Sequence, residues 1–289
     1  MIKNYLQLSE EDQKEAYKFL TNDKSIYTNL AYMDKDLKSD LFGFGEGVLF
    51  CVEDCNITGA IKIILKECPI KAITYAIYLS ISPTCSKTTN IILKELIEAS
   101  KKLVLKHNAK EFYLATLDDK LINSLNTLNY FEQYSALKMT LDSREITIPT
   151  LALIPLSEEN KKQYLDINND AFSEAPNGST LYANEVDEYI KKADDNNCYF
   201  IVKQNGHEIG FLLFEIKDGK ALFDLGLRKA FRGKGYGKML LETAIDFLDK
   251  KQVEEIGLIV ITKNTLAYNM YIKRGFKKQR VLSKWFQII

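Results

Sequence analysis

Arg232-Gly233-Lys234-Gly235-Tyr236-Gly237 is the stretch on which the reading of this chain turns. Three glycines in five residues let the backbone turn tightly and come close to a ligand. Ahead of them, residues 221–227 have the apolar pattern of a strand. Behind them, residues 238–251 place Leu240, Leu241, Ala244, Ile245 and Leu248 on one helical stripe and charges on the other face. A glycine loop that feeds a helix N-terminus offers unpaired N–H groups and the positive end of a helix dipole, which together make a diphosphate site. Two other phosphate motifs do not fit. A P-loop needs Gly-Lys-Ser/Thr, and Tyr236 follows Gly235; a dinucleotide fingerprint needs glycine where Lys238 stands.

Around this loop the second half reads as strands and helices in alternation. Residues 151–156 form a short apolar strand, and 161–172 and 185–193 have helical spacing. Strands over 199–203 and 210–216 are joined by a Gln204-Asn205-Gly206 turn. A β-rich run covers 256–261, a helix over 265–274 is stopped by Gly275, and 281–289 closes the half as a strand. Hairpins first and βαβ later predict an α/β fold with a mixed sheet and helices on its faces.

This half resembles the GNAT superfamily of N-acetyltransferases. The family's cofactor loop, Arg/Gln-x-x-Gly-x-Gly/Ala, is filled by Arg232, Gly235 and Gly237, and its later signature by Asn264, Ala267, Tyr271, Gly275 and Phe276. The resemblance covers about residues 150–289. It implies a fourth and fifth strand that splay apart, with the pantetheine arm of acetyl-CoA on backbone groups near Leu225 and Leu227. It places the pyrophosphate on the N–H groups of Gly233, Lys234, Gly235, Tyr236 and Gly237, with Lys229, Lys234 and Lys238 as point charges toward the phosphates.

The same resemblance implies Tyr271 as the acid that protonates the departing thiolate; taken alone, it reads rather as a packed helix aromatic. Asn264 is either a pantetheine ligand or the N-cap of the next helix. An amine with a pKa near 10 needs a base at neutral pH. Asp224, Glu215 and Glu174 are the candidates, each of which also reads as an ordinary surface carboxylate. The implied activity is transfer of an acetyl group to a small-molecule or peptide amine by direct attack on the thioester. The alternative is a non-catalytic acyl-CoA-binding regulator.

The first half repeats the plan at an offset of roughly 145–151 residues. Leu8-Ser9-Glu10-Glu11-Asp12 recurs as Leu156-Ser157-Glu158-Glu159-Asn160, and Gly59 matches Gly210. Asn129-Tyr130-Phe131 parallels Gly275-Phe276 and its neighbours. The division falls near Ser143 to Pro149. Two tandem GNAT-like domains are therefore expected, a degenerate one over 1–145 without cofactor and a catalytic one over 150–289. In the first, the glycine-loop counterpart lies near Ser86-Lys87-Thr88-Thr89-Asn90-Ile91. Thr89 and Ile91 stand for Gly235 and Gly237, and Leu125 stands for Tyr271. β-Branched residues restrict the backbone there, and leucine donates no proton.

Composition narrows the rest. In 289 residues, 46% are hydrophobic and the net charge is zero, so two cores can form and no global basic field draws nucleic acid or an anionic membrane. The crowd of Lys273, Arg274, Lys277, Lys278, Arg280 and Lys284 reads as a solvated rim. Five cysteines (Cys51, Cys55, Cys68, Cys85 and Cys198) show no ligand spacing, which predicts free thiols and no metal. No signal-like or membrane-length apolar run occurs, so a cytoplasmic monomer or homodimer is expected.

Overall fold

The computed structural model describes residues 1–21, 27–54, 56–83 and 88–289. In chain order the elements begin with β1 (Ile2–Asn4), α1 (Glu10–Thr21), α2 (Leu30–Leu37), β2 (Val48–Glu53), β3 (Asn56–Ile64) and α3 (Cys68–Lys71). Next come β4 (Ile73–Ile81), α4 (Thr89–Lys106), β5 (Glu111–Thr116), α5 (Asp119–Thr127) and β6 (Glu132–Leu141). The second series is β7 (Ala152–Pro155), α6 (Lys161–Phe172), α7 (Ala183–Lys192), β8 (Asn197–Gln204), β9 (His207–Lys217) and β10 (Lys220–Leu227). It ends with α8 (Tyr236–Lys250), β11 (Glu255–Ile261), α9 (Thr265–Arg274) and β12 (Phe276–Gln287). The last strand starts at Phe276, earlier than its β-branched content suggests, because Gly275 at φ 101° ends α9 and turns the chain at once.

Two compact units result. One is Met1–Tyr134 with Ser283–Ile289, the other Ser135–Leu282. In the first, strands lie in the order β1-β2-β3-β4-β5 and the end of β12; in the second, β7-β8-β9-β10-β11 and the end of β6. Among the described residues only β4/β5 and β10/β11 are parallel; the other pairs within each unit are antiparallel. The expected mixed α/β sheets are present, with one order in both units. The units do not divide at 145–150, however. Residues 136–141 pair with β11, and residues 284–287 at the chain's end pair with β5. Each half of the repeat gives its last strand to the other's sheet.

Both faces of the second sheet are covered. On one, the α8 stripe of Leu240, Leu241, Ala244, Ile245 and Leu248 is buried against Phe214, Phe223, Ile256 and Leu258. On the other, Tyr164, Ile167 and Ala171 of α6 and Val186 of α7 pack on Tyr199, Ile201 and Phe211. Each of the Leu, Ile, Val and Phe side chains among these contributes roughly 1.5–3 kcal/mol of burial. The first unit repeats the plan, with Ile92, Leu93, Leu96 and Ile97 of α4 on one face and Ala16, Leu20, Met33 and Leu37 on the other.

In the C-terminal basic run Lys273, Lys277, Lys278 and Arg280 are exposed, Lys284 is half-buried beside Glu132, and Arg274 is nearly buried. Its guanidinium meets Glu242 of α8 at 2.5 and 3.2 Å and the Glu145 carbonyl at 2.8 Å. Both side chains are nearly buried, 13% and 4% exposed. The last turn of α9 abuts α8, so this cation has a partner at a place where a linear pattern shows only a charge run. Removing one member of such a pair costs about 3–5 kcal/mol. Cys51, Cys68 and Cys198 are free and buried; Cys55 and Cys85 lie outside the described residues. Among the described residues no group of three or more His, Cys, Asp or Glu could hold a metal ion. No described helix is long and apolar enough to cross a membrane.

Candidate active site

The loop after β10 is shaped by two left-handed glycines. Gly233 has φ 74° and Gly235 φ 85°. A Cβ at either would meet nothing within 4 Å, so glycine is favoured there by backbone conformation rather than by crowding. Gly237 lies in the first turn of α8, where a Cβ would make ordinary contacts with Met270 and Leu227. Gly235 is the N-cap and has no side chain to bond the first turn. The N–H groups of Gly233, Lys234, Gly235, Tyr236 and Gly237 have no acceptor among the described residues. Five successive donors at the positive end of a 15-residue helix form a ready anion cradle.

The charged side chains divide. Arg232 turns back, donating to the Ala171 carbonyl at 2.7 Å and to Glu174 at 3.2 Å. It anchors the loop to the end of α6. The Lys229 N–H donates to Asp170 at 2.8 Å, and its ammonium pairs with Glu174 at 3.1 Å. Lys234 donates to the Ala230 carbonyl and lies over the Phe231 ring. Lys238 has no partner among the described residues.

β10 and β11 pair from Lys220/Glu255 to Phe223/Leu258, and no further. β10 nevertheless runs on to Leu227, held by β9 through Leu227/Gly210. The Arg228 N–H bonds the Ile209 carbonyl, so residues of even number face β9. Leu225 and Leu227 therefore turn their backbone groups toward the side where β11 has parted. This is the splay the sequence resemblance implied. There the Leu225 N–H is held, among the described residues, by the neighbouring Asp224 carboxylate alone, at 2.9 Å, and the Leu227 carbonyl accepts from Arg232 at 3.4 Å. Asn264 caps α9 by accepting from the Ala267 N–H at 3.2 Å, which leaves its amide NH2 without a partner among the described residues.

Tyr271 is buried in α9 against Phe276, ring centroids 5.8 Å apart. Its hydroxyl has no hydrogen-bond partner among the described residues. Burial first, then the charge of Asp224, pushes its pKa well up, so the phenol is protonated at neutral pH. Asp224 and Glu215 share the opposite sheet face from Leu225, because Asp224 pairs with Leu213 and Leu222 with Glu215. They line a cleft of about 170 Å³ with Leu213, Leu222, Phe223 and Ile259. Asp224 is itself exposed to solvent at the cleft. The protein packed close around it still takes hydration from its carboxylate and pushes its pKa up to about 6, against the lowering effect of the Leu225 N–H. Glu174 is paired with Lys229 and Arg232, which hold its pKa down, and is poorly suited to accept a proton near neutrality.

Linear reading did not single out Tyr164, Tyr189 and Tyr199. Their spacing on α6, α7 and β8 is that of core residues, and it takes the folded sheet to carry them over the same face as Asp224.

In the first unit the repeat holds but the groups change. β4 and β5 also part, after Ala76/Leu114. α4 begins one residue earlier relative to the loop than the sequence match assumed. Its N-cap Thr88, rather than Thr89, stands where Gly235 does, with extended backbone at φ −66°. Residues 84–87 of this loop lie outside the described residues. Leu125 is buried on α5 as Tyr271 is on α9. The strand pair Leu213/Asp224 has its counterpart in Lys62/Tyr78. The Lys62 ammonium lies 4.6, 5.2 and 5.8 Å from the rings of Tyr27, Tyr78 and Phe42.

Residues 161–276 match the Acetyltransferase (GNAT) family. An uncharacterized N-acetyltransferase of Methanocaldococcus jannaschii is 27% identical over 93 residues, 32% of this chain and 60% of its own. A second protein of that kind and organism is 24% identical over 35% of this chain and 48% of its own, so the chain spans about half the length of these relatives. A ribosomal protein bS18-alanine N-acetyltransferase of Salmonella typhimurium is 26% identical over 37% of this chain and 68% of its own. Among solved structures, a GCN5-related N-acetyltransferase from Sphaerobacter thermophilus superposes with TM-score 0.61 at 12% identity, over 99% of this chain and 94% of that one. A GNAT acetyltransferase from Colwellia psychrerythraea does so with TM-score 0.55 at 11% identity, over 99% of both. The fold is that of the GNAT acetyltransferases.

Proposed function

We propose that this protein is an acetyl-CoA-dependent N-acetyltransferase whose second unit moves the acetyl group to a primary amine. The observation that carries the reading is the run of five N–H groups at the start of α8 that have no acceptor among the described residues. The open edge of β10 and a buried Tyr271 coupled electrostatically to Asp224 support it. The loop suits a pyrophosphate, and Leu225, Leu227 and Asn264 have backbone or amide groups suited to the pantetheine arm. A binding protein without chemistry would need neither an elevated carboxylate nor a buried phenol coupled to it.

In the reaction the amine nitrogen bonds the thioester carbonyl carbon and the C–S bond breaks. Asp224, directly or through water, takes the proton the amine must lose; Tyr271 supplies a proton, or a hydrogen bond, to the thiolate. The two steps support each other. Once Asp224 is protonated, the negative charge that helps to raise the Tyr271 pKa is gone, and the phenol becomes a better acid.

The test is acetyl-CoA-dependent thiol release across a panel of amines. Release with no amine in the panel, while acetyl-CoA binds, would favour the non-catalytic acyl-CoA regulator. The pH dependence is a sharper check. Asp224 is a base only above its pKa of about 6. The ratio of wild-type to Asp224→Asn kcat/KM should rise about tenfold per unit below pH 6 and level off above pH 7. Stability has the opposite sign. A carboxyl pKa raised by folding favours the protonated form, so ionised Asp224 opposes folding above pH 6, and the cost fades as pH falls toward 4. Asp224→Asn should therefore be no less stable than wild type at pH 7. A flat ratio would remove Asp224 as the base.

The first unit is proposed to bind no cofactor. Thr88 lacks the left-handed backbone of Gly235, Leu125 replaces the acid, and Lys62 within its aromatic cage stands where an acceptor amine would lie. One acetyl-CoA per chain is expected by non-denaturing mass spectrometry. A second adduct of comparable affinity would show that the first unit is also a cofactor site.

A further inference from the structure

We infer that the acceptor is a small primary amine carrying a second positive charge, held in the cleft of Asp224 and Glu215 beneath an aromatic wall. The inference rests on the acetyltransferase reading and specifies its second substrate. Three observations lead to it. First, no Lys or Arg among the described residues pairs with Asp224 or Glu215, although many other carboxylates of the second unit have a cation. Second, the two carboxylates are diagonal neighbours on one face of an antiparallel pair, roughly 7–8 Å apart between Cα atoms. One can face the reacting nitrogen while the other faces a second ammonium. Third, tyrosines cover this face. Tyr189 and Tyr199 are stacked at 4.5 Å, and Tyr199 lies in register with Leu213 and so with Asp224. The Tyr164 ring meets Tyr189 edge-on at 6.4 Å.

Tyr164 provides the second, independent sign of a ligand. It is fully buried, its hydroxyl has no hydrogen-bond partner among the described residues, and it lies within electrostatic reach of Asp224. A buried, unsatisfied hydroxyl is costly, and its electrostatic coupling to Asp224 ties it to the charge of the cleft. Tyrosine faces also attract cations and pack well on methylene chains. Leu213, Leu222 and Ile259 complete an apolar floor between the charges. A carboxylate-bearing amine would meet two negative charges here, and an amine with an uncharged tail would leave Glu215 without a counter-charge.

The experiment compares 1,5-diaminopentane with n-hexylamine, which keeps the chain and replaces the second ammonium by a methyl group. With the full-length protein and saturating acetyl-CoA, kcat/KM for the diamine should exceed that for n-hexylamine about 10- to 100-fold, the value of one charge-assisted contact. Glu215→Gln should collapse that ratio toward one, mainly through KM for the diamine, and Glu215→Asp should restore part of it. Equal use of both amines, or a ratio that survives Glu215→Gln, would overturn the inference. So would preference for the α-amine of an alanine-initiated peptide over the diamine. Failure of the enzymatic reading is seen separately, as acetyl-CoA binding in calorimetry with neither amine acetylated. In that event, titration of the CoA complex by tyrosine fluorescence still decides about the cleft. Tighter binding of the diamine than of n-hexylamine upholds the inference, and equal or absent binding overturns it.

Discussion

Gly235→Asp should abolish acetyl-CoA binding and leave the fold intact. The backbone at Gly235 sits at φ 85°, where a side chain other than glycine costs roughly 1–2 kcal/mol and Asp is among the better tolerated. No atom lies within 4 Å of the Cβ position, so the carboxylate projects into open space at the helix start. That is the position proposed for the pyrophosphate. One added charge about 4 Å from a phosphate costs about 4 kcal/mol at an effective dielectric near 20, or about a thousandfold in affinity. The new side chain would also accept the free N–H groups of the first turn, as an N-cap Asp does, and compete with the ligand for them. Gly235→Ala separates the two effects. It carries the backbone strain without the charge, and should lose affinity by only about tenfold. Calorimetric titration at constant ionic strength reads both. Wild-type affinity in the Asp variant, with its thermal unfolding unchanged, would remove the cradle from the cofactor site.

Tyr271→Phe should lower kcat by about 10²–10⁴-fold while acetyl-CoA affinity changes little. The ring is buried against Phe276 and a phenylalanine keeps that packing. The hydroxyl makes no hydrogen bond among the described residues, so its loss leaves no protein group newly unsatisfied. What changes is the proton available to sulfur. A phenol whose pKa is pushed up by burial and by Asp224 stays protonated through the neutral range. In the proposed reaction it would stabilise the leaving thiolate by hydrogen bonding as charge develops, and its proton would transfer fully once Asp224 had taken the amine's proton. The loss should therefore be smaller with an acetyl thioester of low-pKa thiol, whose leaving group needs no proton. Equal loss with both thioesters would point to a packing role for the residue, and unchanged turnover would take it out of the mechanism.

Much of the second half was open to linear reading because its chemistry is local. Residues 161–172 and 265–274 were read as helices with those bounds, since apolar spacing, Gly275 and the N-cap Asn264 are all neighbours in sequence. The loop was legible for the same reason. Left-handed conformations at Gly233 and Gly235, followed at once by a helix start, leave their mark in six consecutive residues. The roles of charged groups were less legible. Arg232 reads as a cofactor residue, and in the fold its guanidinium reaches back to Ala171 and Glu174, residues about 60 positions away. Arg274 reads as rim and is sealed against Glu242, for α9 packs on α8. Charge runs do not record which side chain a neighbouring helix will cover.

The sequence by itself determined the mixed α/β character, most element types and the place of the glycine loop, because each follows from periodicity or backbone freedom within a dozen residues. Three things belong to the tertiary structure alone. β10 and β11 part after Phe223, a property of two strands brought together from 28 or more residues apart. Asp224 has a pKa of about 6 because of the protein packed around it, not because of its neighbours in the chain. The repeat also exchanges its final strands, so that residues 136–141 complete the second sheet and residues 284–287 the first. An alternating apolar strand specifies that one face is buried and which residues lie on it. It does not specify whose edge it joins, since backbone N–H and C=O groups are the same on every strand, and that choice is made only when the edges meet.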